Sequence, residues 1–347
     1  MDKKNTTLVK VQKIFSRRTP SLTRRSEKSK EGHNAPLMAH LSMFFACAIW
    51  GFMSPLGKEA MNNGVDGVSM VSFRVLGGAI LFWFFSLFSK KEHVPTKDIF
   101  RFFGAALLGI VLNQCCFTIG LSLTSPINAS IVTTSMPIFA MILAAFILKE
   151  PITGKKALGV LVGCSGALIL ILTSLKSADS KVGDIRGDLL VLSAQMSYAL
   201  YLSVFNKLVK KYSVFTVNKW MFLWATLLIW PFSLPQIAHL SWTTISSKTW
   251  IETIYVVIFG TFIGYLLVIQ AQKVLRPTVV SSYNYVQPLV AVIVSVLTGM
   301  GVFRWTHGLA VILVFVGVWL VTKSKSRRDH LTMLEKQLQN EKSHSED

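Results

Sequence analysis

Charged residues are scarce in this chain of 347 residues. They make up 15% of the sequence, against about 25% in an average soluble domain. Hydrophobic residues make up 52% and gather in runs of about 20, the length that a helix needs to cross the hydrocarbon core of a bilayer. The composition therefore excludes a soluble domain and predicts an all-α integral membrane protein.

Cysteine and histidine are few and are not grouped into sites. The cysteines fall inside apolar runs with no His or Cys at metal-ligand spacing, and they are Cys47, Cys115, Cys116 and Cys164. We interpret them as small buried hydrophobes rather than as disulfides or metal ligands. The histidines lie alone near helix ends or in loops, so they provide no nucleophile–base pair. We expect no metal, no cofactor and no enzymatic activity.

Acidic residues are absent from the central portion of every predicted helix. Glu59, Glu150, Asp188 and Glu252 all fall at predicted helix ends. A carboxylate that binds protons and cations in turn therefore has no candidate in mid-membrane, which argues against proton–cation exchange. Any proton coupling must use a group at a helix end or the substrate itself.

The apolar runs predict ten transmembrane helices. Their predicted ranges are 37–57, 68–88, 102–122, 126–148, 156–174, 187–206, 217–236, 250–271, 277–299 and 304–322. Two pairs of runs meet near Ser125 and near Arg276 with almost no loop between them, which predicts two tight helical hairpins.

Lysine and arginine predict the orientation of these helices. The tails 1–36 and 323–347, with the connections on the same side, collect 28 basic residues, against six in the connections on the other side. We therefore expect a multi-pass protein of the cell inner membrane with both termini in the cytoplasm. Topology accounts for the net charge of +19, so no nucleic-acid partner is required. The N-terminal tail is expected to be disordered, either lying against anionic headgroups or only reinforcing topology.

The chain contains an internal repeat. Residues 109–170 fall on 260–321 when shifted by 151 positions, and the identical pairs include Gly109/Gly260, Pro126/Pro277, Pro137/Pro288 and Gly166/Gly317. Five helices per copy is an odd number, so the second copy enters the membrane from the opposite side and the halves are inverted. The predicted repeats are 37–174 and 187–322, joined by a periplasmic connection at 175–186.

Polar and aromatic side chains inside the predicted helices mark a candidate substrate site, because lipid cannot satisfy them. The selected residues are Gln114, Thr133, Thr134, Asn284 and Tyr285, with Trp50 and Tyr201 as cavity walls or gates and Arg74 as an intramembrane charge. Each type has an alternative role. Hydroxyls can bond to their own helix, aromatic rings can anchor at the interface, and Arg74 can snorkel or bond to backbone carbonyls.

Pro137 and Pro288 occupy equivalent positions in the middle of predicted helices. A proline there frees a backbone carbonyl one turn earlier, which falls around Thr133 in one half and near Asn284 in the other. We interpret the two prolines as structural residues that produce a bend beside an inward-facing polar patch in each half.

Three segments carry a resemblance to a known family. They are AIWGFMSPLGKEA, SFRVLGGAILF and SPINASIVTTSMPIFAMILAAFILKEPITGKKALGVLVGCSGALIL. Over about 37–322 the chain resembles the EamA-type permeases of the drug/metabolite transporter superfamily. The family's acidic residue at the end of the fourth helix is present as Glu150, whereas Gly301 occupies the corresponding position in the second half.

The resemblance implies a secondary transporter that moves a small polar or amphipathic metabolite, such as an amino acid, by alternating access. The exporting direction is implied in the same way. A flippase for a lipid-linked sugar or lipid headgroup is the alternative. The expected partners are a small-molecule substrate and the lipid bilayer. We expect a monomer, although Gly159, Gly163 and Gly166 form a small-residue face that could join two protomers.

Overall fold

The computed structural model describes residues 35–124, 129, 132–175, 184–297 and 305–324. Within these ranges every regular element is helical, which confirms the all-α class for the described part of the chain. The predictions that concern the two tails, Pro126 and Gly301 lie outside the described residues.

The long helices are named here in chain order. They are α1 (Ala35–Asn62), α2 (Gly67–Ser86), α3 (Thr96–Leu123), α4 (Met136–Leu148), α5 (Gly154–Leu175), α6 (Ile185–Val204), α7 (Val214–Ala238), α8 (Ser247–Val274), α9 (277–297) and α10 (Trp305–Thr322). A short helix, Asn206–Lys211, lies between α6 and α7. By length and composition α1, α2, α3, α7 and α8 can cross a membrane, while α4 and Gly308–Thr322 are shorter apolar helices.

Side-chain caps set the beginnings of several helices. Asp66 accepts hydrogen bonds from the backbone N–H groups at the start of α2, and Asp184 does so at the start of α6. Ser213 and Ser246 cap α7 and α8 in the same way. Each cap satisfies N–H groups that have no partner inside the helix. These caps explain why α7 and α8 begin three residues before their predicted starts.

Two helices contain a wider, π-helical segment. The segments are Leu107–Leu112 in α3 and Val256–Ile263 in α8. Shifted by the repeat distance of 151, the first falls on 258–263, inside the second. A π-helical segment adds a residue to one turn and is frequent at functional sites. The two halves therefore share a backbone irregularity that the apolar pattern does not predict.

The prediction of one continuous helix over 126–148 is wrong at Pro137. Residues 134–135 form a turn, and α4 begins with Pro137 in its first turn. Proline has no N–H to bond the preceding turn, and its ring clashes with the carbonyl four residues earlier. The chain therefore interrupts the regular helix here, and a bend at Pro137 stays a prediction.

The equivalent proline of the second half also follows an irregular turn. In α9 a 3₁₀ turn, Tyr283–Tyr285, separates Pro277–Ser282 from Val286–Leu297, which carries Pro288 in its first turn. Both halves thus change helix geometry immediately before this proline, and the side chains of the irregular turn are buried.

Helices α5 and α10 pack through glycine. A Cβ atom on Gly159 would lie 2.9 Å from the carbonyl oxygen of Gly317, and one on Gly166 would lie 2.9 Å from the carbonyl oxygen of Ala310. The partner residue number falls as the α5 residue number rises, so the two helices run antiparallel. Close approach of this kind is how helices associate where lipid removes the hydrophobic driving force. The small-residue face of α5 therefore lies against α10.

Candidate functional site

A small polar cavity lies among α1, α2, α3, α6, α8, α9 and the helical residues that precede α4. Its lining residues are Trp50, Met53, Ser54, Arg74, Asn113, Gln114, Phe117, Thr133, Gln195, Tyr198, Tyr265, Asn284 and Gln287. Its volume of about 60 Å³ exceeds the roughly 10–15 Å³ that a water requires but is far below the roughly 300–1,000 Å³ of a ligand pocket. The cavity therefore has room for water but not for a ligand of that size in this structure.

Five of the residues selected from the sequence meet at this cavity: Trp50, Arg74, Gln114, Thr133 and Asn284. They come from five separate stretches of the chain, and folding brings them together. Whether they bind substrate stays a prediction.

The other three selected residues lie in helix packing outside the lining. The Tyr201 hydroxyl donates to Gln272 Oε1 at 3.0 Å, and the Tyr285 hydroxyl donates to the carbonyl of Val160 at 3.0 Å. Thr134 is buried, with its Oγ1 3.8 Å from a cysteine sulfur on α5. A role for these three in substrate binding also stays a prediction.

Three lining residues carry no signal of their own in the sequence. Met53, Ser54 and Phe117 are ordinary members of apolar helices, and the first two lie three and four positions after Trp50. Helical neighbours at this spacing share a face. The position of Trp50 could therefore have indicated the first two, once α1 was known to turn that face inward.

Gln114 and Tyr265 form a hydrogen-bonded pair across the cavity. The Gln114 Nε2 donates to the Tyr265 hydroxyl at 3.0 Å, and the two positions are 151 residues apart. Thr133 and Asn284 are separated by the same interval, and both line the cavity. The cavity is therefore built from residues at equivalent positions in the two halves of the sequence.

The guanidinium of Arg74 is buried, with 5% of the residue exposed. Its Nε donates to Thr261 Oγ1 at 3.0 Å, and its Nη1 makes a long contact of 3.5 Å with Thr118 Oγ1. Thr261 belongs to the π-helical segment of α8, where its own hydroxyl donates to the carbonyl of Val256 at 3.1 Å. In the part of the chain that the structure describes, no carboxylate pairs with Arg74.

Amide and hydroxyl groups supply the remaining polar lining. Gln287 Nε2 donates to Asn284 Oδ1 at 3.1 Å, and Thr133 Oγ1 donates to the carbonyl of Ala129 at 2.8 Å. The Gln114 Oε1 is buried and has no hydrogen-bond partner among the described residues. These groups can orient a polar molecule through hydrogen bonds, and their arrangement contains no activated nucleophile.

Trp50 joins the cavity wall to the π-helical segment of α8. Its indole N–H donates to the carbonyl of Gly260 at 2.8 Å, and its ring centroid lies 6.0 Å from that of Tyr265. This hydrogen bond joins the indole to the backbone of the π-helical segment. The cavity wall and the irregular helix therefore support each other.

Towards the beginning of α3, a polar aromatic group lies beside the cavity. Gln272 Nε2 donates to the Tyr198 hydroxyl at 3.0 Å while Gln272 Oε1 accepts from Tyr201.

Near the start of α3, Asp98 accepts from Lys211 Nζ and from the Tyr212 hydroxyl, each at 2.5 Å. The bond to Asp98 raises the pKa of Lys211 because it stabilises the ammonium form. This ion pair joins the start of α3 to the segment after α6.

Near the end of α3, a second set of contacts joins α1 to α3 and α8. Lys58 Nζ donates to the carbonyls of Leu121 and Ser122, both at 2.9 Å, and to that of Thr124 at 3.3 Å. The neighbouring Glu59 pairs with Lys248 at the start of α8. The end of α1 is thus attached both to the end of α3 and to the start of α8.

Comparison with known families shows the family to which the chain belongs. The sequence profile of the EamA-like transporter family matches residues 37–172 and again 185–323. The uncharacterized transporter YetK of Bacillus subtilis (strain 168) is 23% identical over 292 residues, which cover 84% of this chain and 88% of that protein. A WAT1-related protein of Arabidopsis thaliana is 25% identical over 309 residues, covering 80% of this chain and 77% of the relative.

Solved structures share the fold, among them a crystal structure of a protein. It superimposes with a TM-score of 0.66 at 16% sequence identity and covers 83% of this chain and 98% of the other. The two family matches together span more than half of the sequence, and the described residues supply the long apolar helices that such a protein needs. The chain therefore belongs to the EamA-like transporter family, whose members are multi-pass membrane transporters.

Proposed function

We propose that this protein is a secondary transporter in which two inverted five-helix repeats, 37–174 and 187–322, move a small polar or amphipathic metabolite across the inner membrane by alternating access. The observation that carries this proposal is the composition of the cavity. Its polar lining includes two pairs of residues at the repeat distance, Gln114 with Tyr265 and Thr133 with Asn284. Inverted-repeat transporters bind substrate at the interface between their repeats.

Contacts between α5 and α10 support the inverted arrangement. Gly159 approaches Gly317, and Gly166 approaches Ala310. In the repeat alignment Gly159 is equivalent to Ala310, and Gly166 to Gly317. Reciprocal contacts of this kind are the signature of a two-fold axis. Because the two equivalent helices run antiparallel, such an axis would be perpendicular to them and would lie in the membrane plane.

Two ion pairs support a cycle in which the two ends of the cavity open in turn. Asp98 pairs with Lys211 at one end of α3, and Glu59 pairs with Lys248 near the other. Shifting Glu59 and Lys248 by the repeat distance brings them within one residue of the first pair, with the signs exchanged. Each ion pair thus joins the first half to the second through equivalent elements, with both carboxylates in the first half and both lysines in the second. In the proposed cycle the ion pair at one end of the cavity breaks while the ion pair at the other end stays formed.

The orientation rests on the distribution of basic residues. We place both termini in the cytoplasm, so the Asp98–Lys211 end of the cavity faces the cytoplasm and the Glu59–Lys248 end faces the periplasm. Reporter fusions at residues 1 and 347 test this arrangement. An exported reporter at either terminus would contradict it.

The cargo is proposed to be polar because amide, hydroxyl and guanidinium groups converge on the cavity beside Trp50 and Phe117. The aromatic rings provide the apolar surface that an amphipathic metabolite requires. We propose that a single chain forms the complete pathway, since both repeats line the same cavity, and that the protein works as a monomer in the bilayer.

A substrate screen with purified protein in liposomes tests the function. Gln114→Ala and Asn284→Ala are expected to abolish uptake of whichever metabolite the unaltered protein moves, with no loss of inserted protein. Gln236→Ala, at an exposed position near the end of α7, is the matched control and should retain full transport. Full activity in both cavity variants would remove the proposed site.

A further inference from the structure

Arg74 is a buried cation whose hydrogen-bonding capacity is only partly used. A guanidinium has five N–H groups, and two of them meet threonine hydroxyls, one at the long distance of 3.5 Å. The other three have no acceptor among the described residues. Arg74 nevertheless lines the cavity, so the unused donors belong to a side chain at its wall.

No carboxylate of the described residues pairs with Arg74. Among the described residues that line the cavity, only Arg74 is charged. Removing a cation from water costs several kcal/mol unless an anion or a full set of acceptors replaces the lost hydration. Two neutral hydroxyls supply a small part of that replacement.

The fold does not require a cation at this position. The repeat equivalent of Arg74 in α7 is Ala225, which is completely buried. In the second half, the small side chain of Ala225 is therefore sufficient for packing at the equivalent turn of α7. The charge of Arg74 is a property of one half only, and helix packing does not explain it.

An unpartnered acceptor lies on the neighbouring helix. Gln114 is one turn before Thr118 on α3, so it shares the face that Arg74 contacts. Its Oε1 is buried without a hydrogen-bond partner among the described residues, while its Nε2 is held by Tyr265. A buried acceptor of this kind is costly unless a ligand donates to it.

We propose that the cargo carries a carboxylate that binds Arg74 and an N–H or O–H donor that binds Gln114 Oε1. This inference rests on the proposed transport function and specifies its substrate class. Arginine presents parallel N–H groups that match the two oxygens of a carboxylate. The carboxylate of the cargo would balance the charge of Arg74. The free energy of the cavity would therefore be higher without cargo than with cargo bound.

Charge-selective labelling of the cavity tests this without a known substrate. Ser54 lines the cavity and, among the described residues, bonds only to the carbonyl of Trp50, so Ser54→Cys is a conservative reporter once the four native cysteines have been replaced. Three methanethiosulfonates are compared in vesicles of each orientation: a neutral methyl reagent, an anionic sulfonatoethyl reagent and a cationic trimethylammonioethyl reagent.

The anionic reagent is expected to react about tenfold or more faster than the cationic one, since a site lined by one sign of charge raises the local concentration of the opposite sign. Arg74→Gln should abolish this preference, and Arg74→Lys should retain it because the charge is kept. An unchanged preference in Arg74→Gln, or no preference with Arg74 present, would overturn the proposal.

The side from which the charged reagents act separates the carboxylate inference from the transport function, because these reagents do not cross the bilayer, whereas the neutral methyl reagent does. Labelling by both charged reagents from each side supports alternating access, and if their rates are equal only the carboxylate inference fails. Failure of both charged reagents to reach the reporter from one side would contradict the transport function itself.

A second arm keeps Arg74 and identifies the anion. Sodium acetate should slow labelling of the Ser54→Cys reporter by the methyl reagent, whereas acetamide at the same concentration should not. Equal protection by acetamide would show that charge is irrelevant and would overturn the inference. Protection by sodium chloride equal to that by acetate would assign Arg74 to inorganic anions and would also overturn it. This arm does not depend on the folding of an Arg74 variant.

Discussion

Replacing Gly317 by alanine should separate α5 from α10 and destabilise the protein. The added Cβ atom would lie 2.5 Å from the backbone nitrogen of Gly163, 2.6 Å from its Cα atom and 2.8 Å from the carbonyl oxygen of Gly159. All three atoms belong to the backbone of α5, so no side-chain rotation relieves the clash. Ordinary contact begins at 3.4 Å, and the helices must therefore move apart by roughly 1 Å in a densely packed interior.

The expected cost follows from overpacking, which typically destabilises a core by about 1–3 kcal/mol. Gly308→Ala is the matched control on the same helix, because a Cβ atom there meets nothing within 4 Å. That control should gain up to about 1 kcal/mol from the higher helix propensity of alanine. Gly317→Ala has the same gain in propensity, so the two variants should differ by about 1–3 kcal/mol in the free energy of unfolding.

Unfolding by sodium dodecyl sulfate in mixed micelles, followed by tryptophan fluorescence, measures this difference. Gly166→Ala should behave like Gly317→Ala, since it occupies the equivalent position and its Cβ atom would lie 2.9 Å from the carbonyl of Ala310. Equal stability of Gly317→Ala and Gly308→Ala would refute the close backbone packing. A loss in Gly317→Ala without a loss in Gly166→Ala would refute the reciprocal contact between the repeats.

Three further substitutions test the closed ends and the centre of the cavity. Lys58→Met removes three bonds to the end of α3 and should speed labelling of Ser54→Cys from the periplasmic side only; faster labelling from the cytoplasm would contradict its assigned position. Asp98→Asn breaks the ion pair at the other end and should speed labelling from the cytoplasmic side only, an assignment that a periplasmic effect would remove. Tyr265→Phe leaves Gln114 without its hydroxyl partner and should lower stability by about 1–3 kcal/mol, whereas unaltered unfolding would show that this bond contributes nothing.

Residue chemistry explains which parts of the site the sequence could predict. Gln114 and Asn284 stand out in an apolar helix because a side-chain amide cannot be left in lipid. Arg74 stands out for the same reason. Their types alone therefore indicated that they face the interior, and the structure places all three on one cavity.

Other features depend on partners that the local sequence does not reveal. Tyr285 lies one position after Asn284, yet its ring packs against Gly163 on α5 and its hydroxyl bonds to the carbonyl of Val160. Tyr201 likewise lies over Gly109. A glycine on a facing helix determined where each ring could fit, and the sequence does not state which helices face each other.

The interruption before Pro137 illustrates a further limit. Proline always weakens a helix, but the sequence alone does not distinguish a bend from a break. Hydropathy favoured one continuous span because the segment is apolar on average, whereas the structure has a turn at 134–135 in which Thr134 is buried. The π-helical segments contain Gly109 and Gly260, which pack against α6 and α1, and the local sequence does not reveal these partners.

The proposed mechanism requires the two halves to be alike in backbone and different in side chain. Exchange of conformations between repeats demands similar helices, and the two π-helical segments and the two interrupted helices meet that demand. A cargo with a carboxylate at one end has no symmetry of its own, so identical half-sites would bind it in two opposed orientations. Arg74 opposite Ala225, and Gln114 opposite Tyr265, remove that ambiguity. In the proposed mechanism, the differences between equivalent positions would therefore define the orientation of the cargo, while their shared backbone would permit the movement.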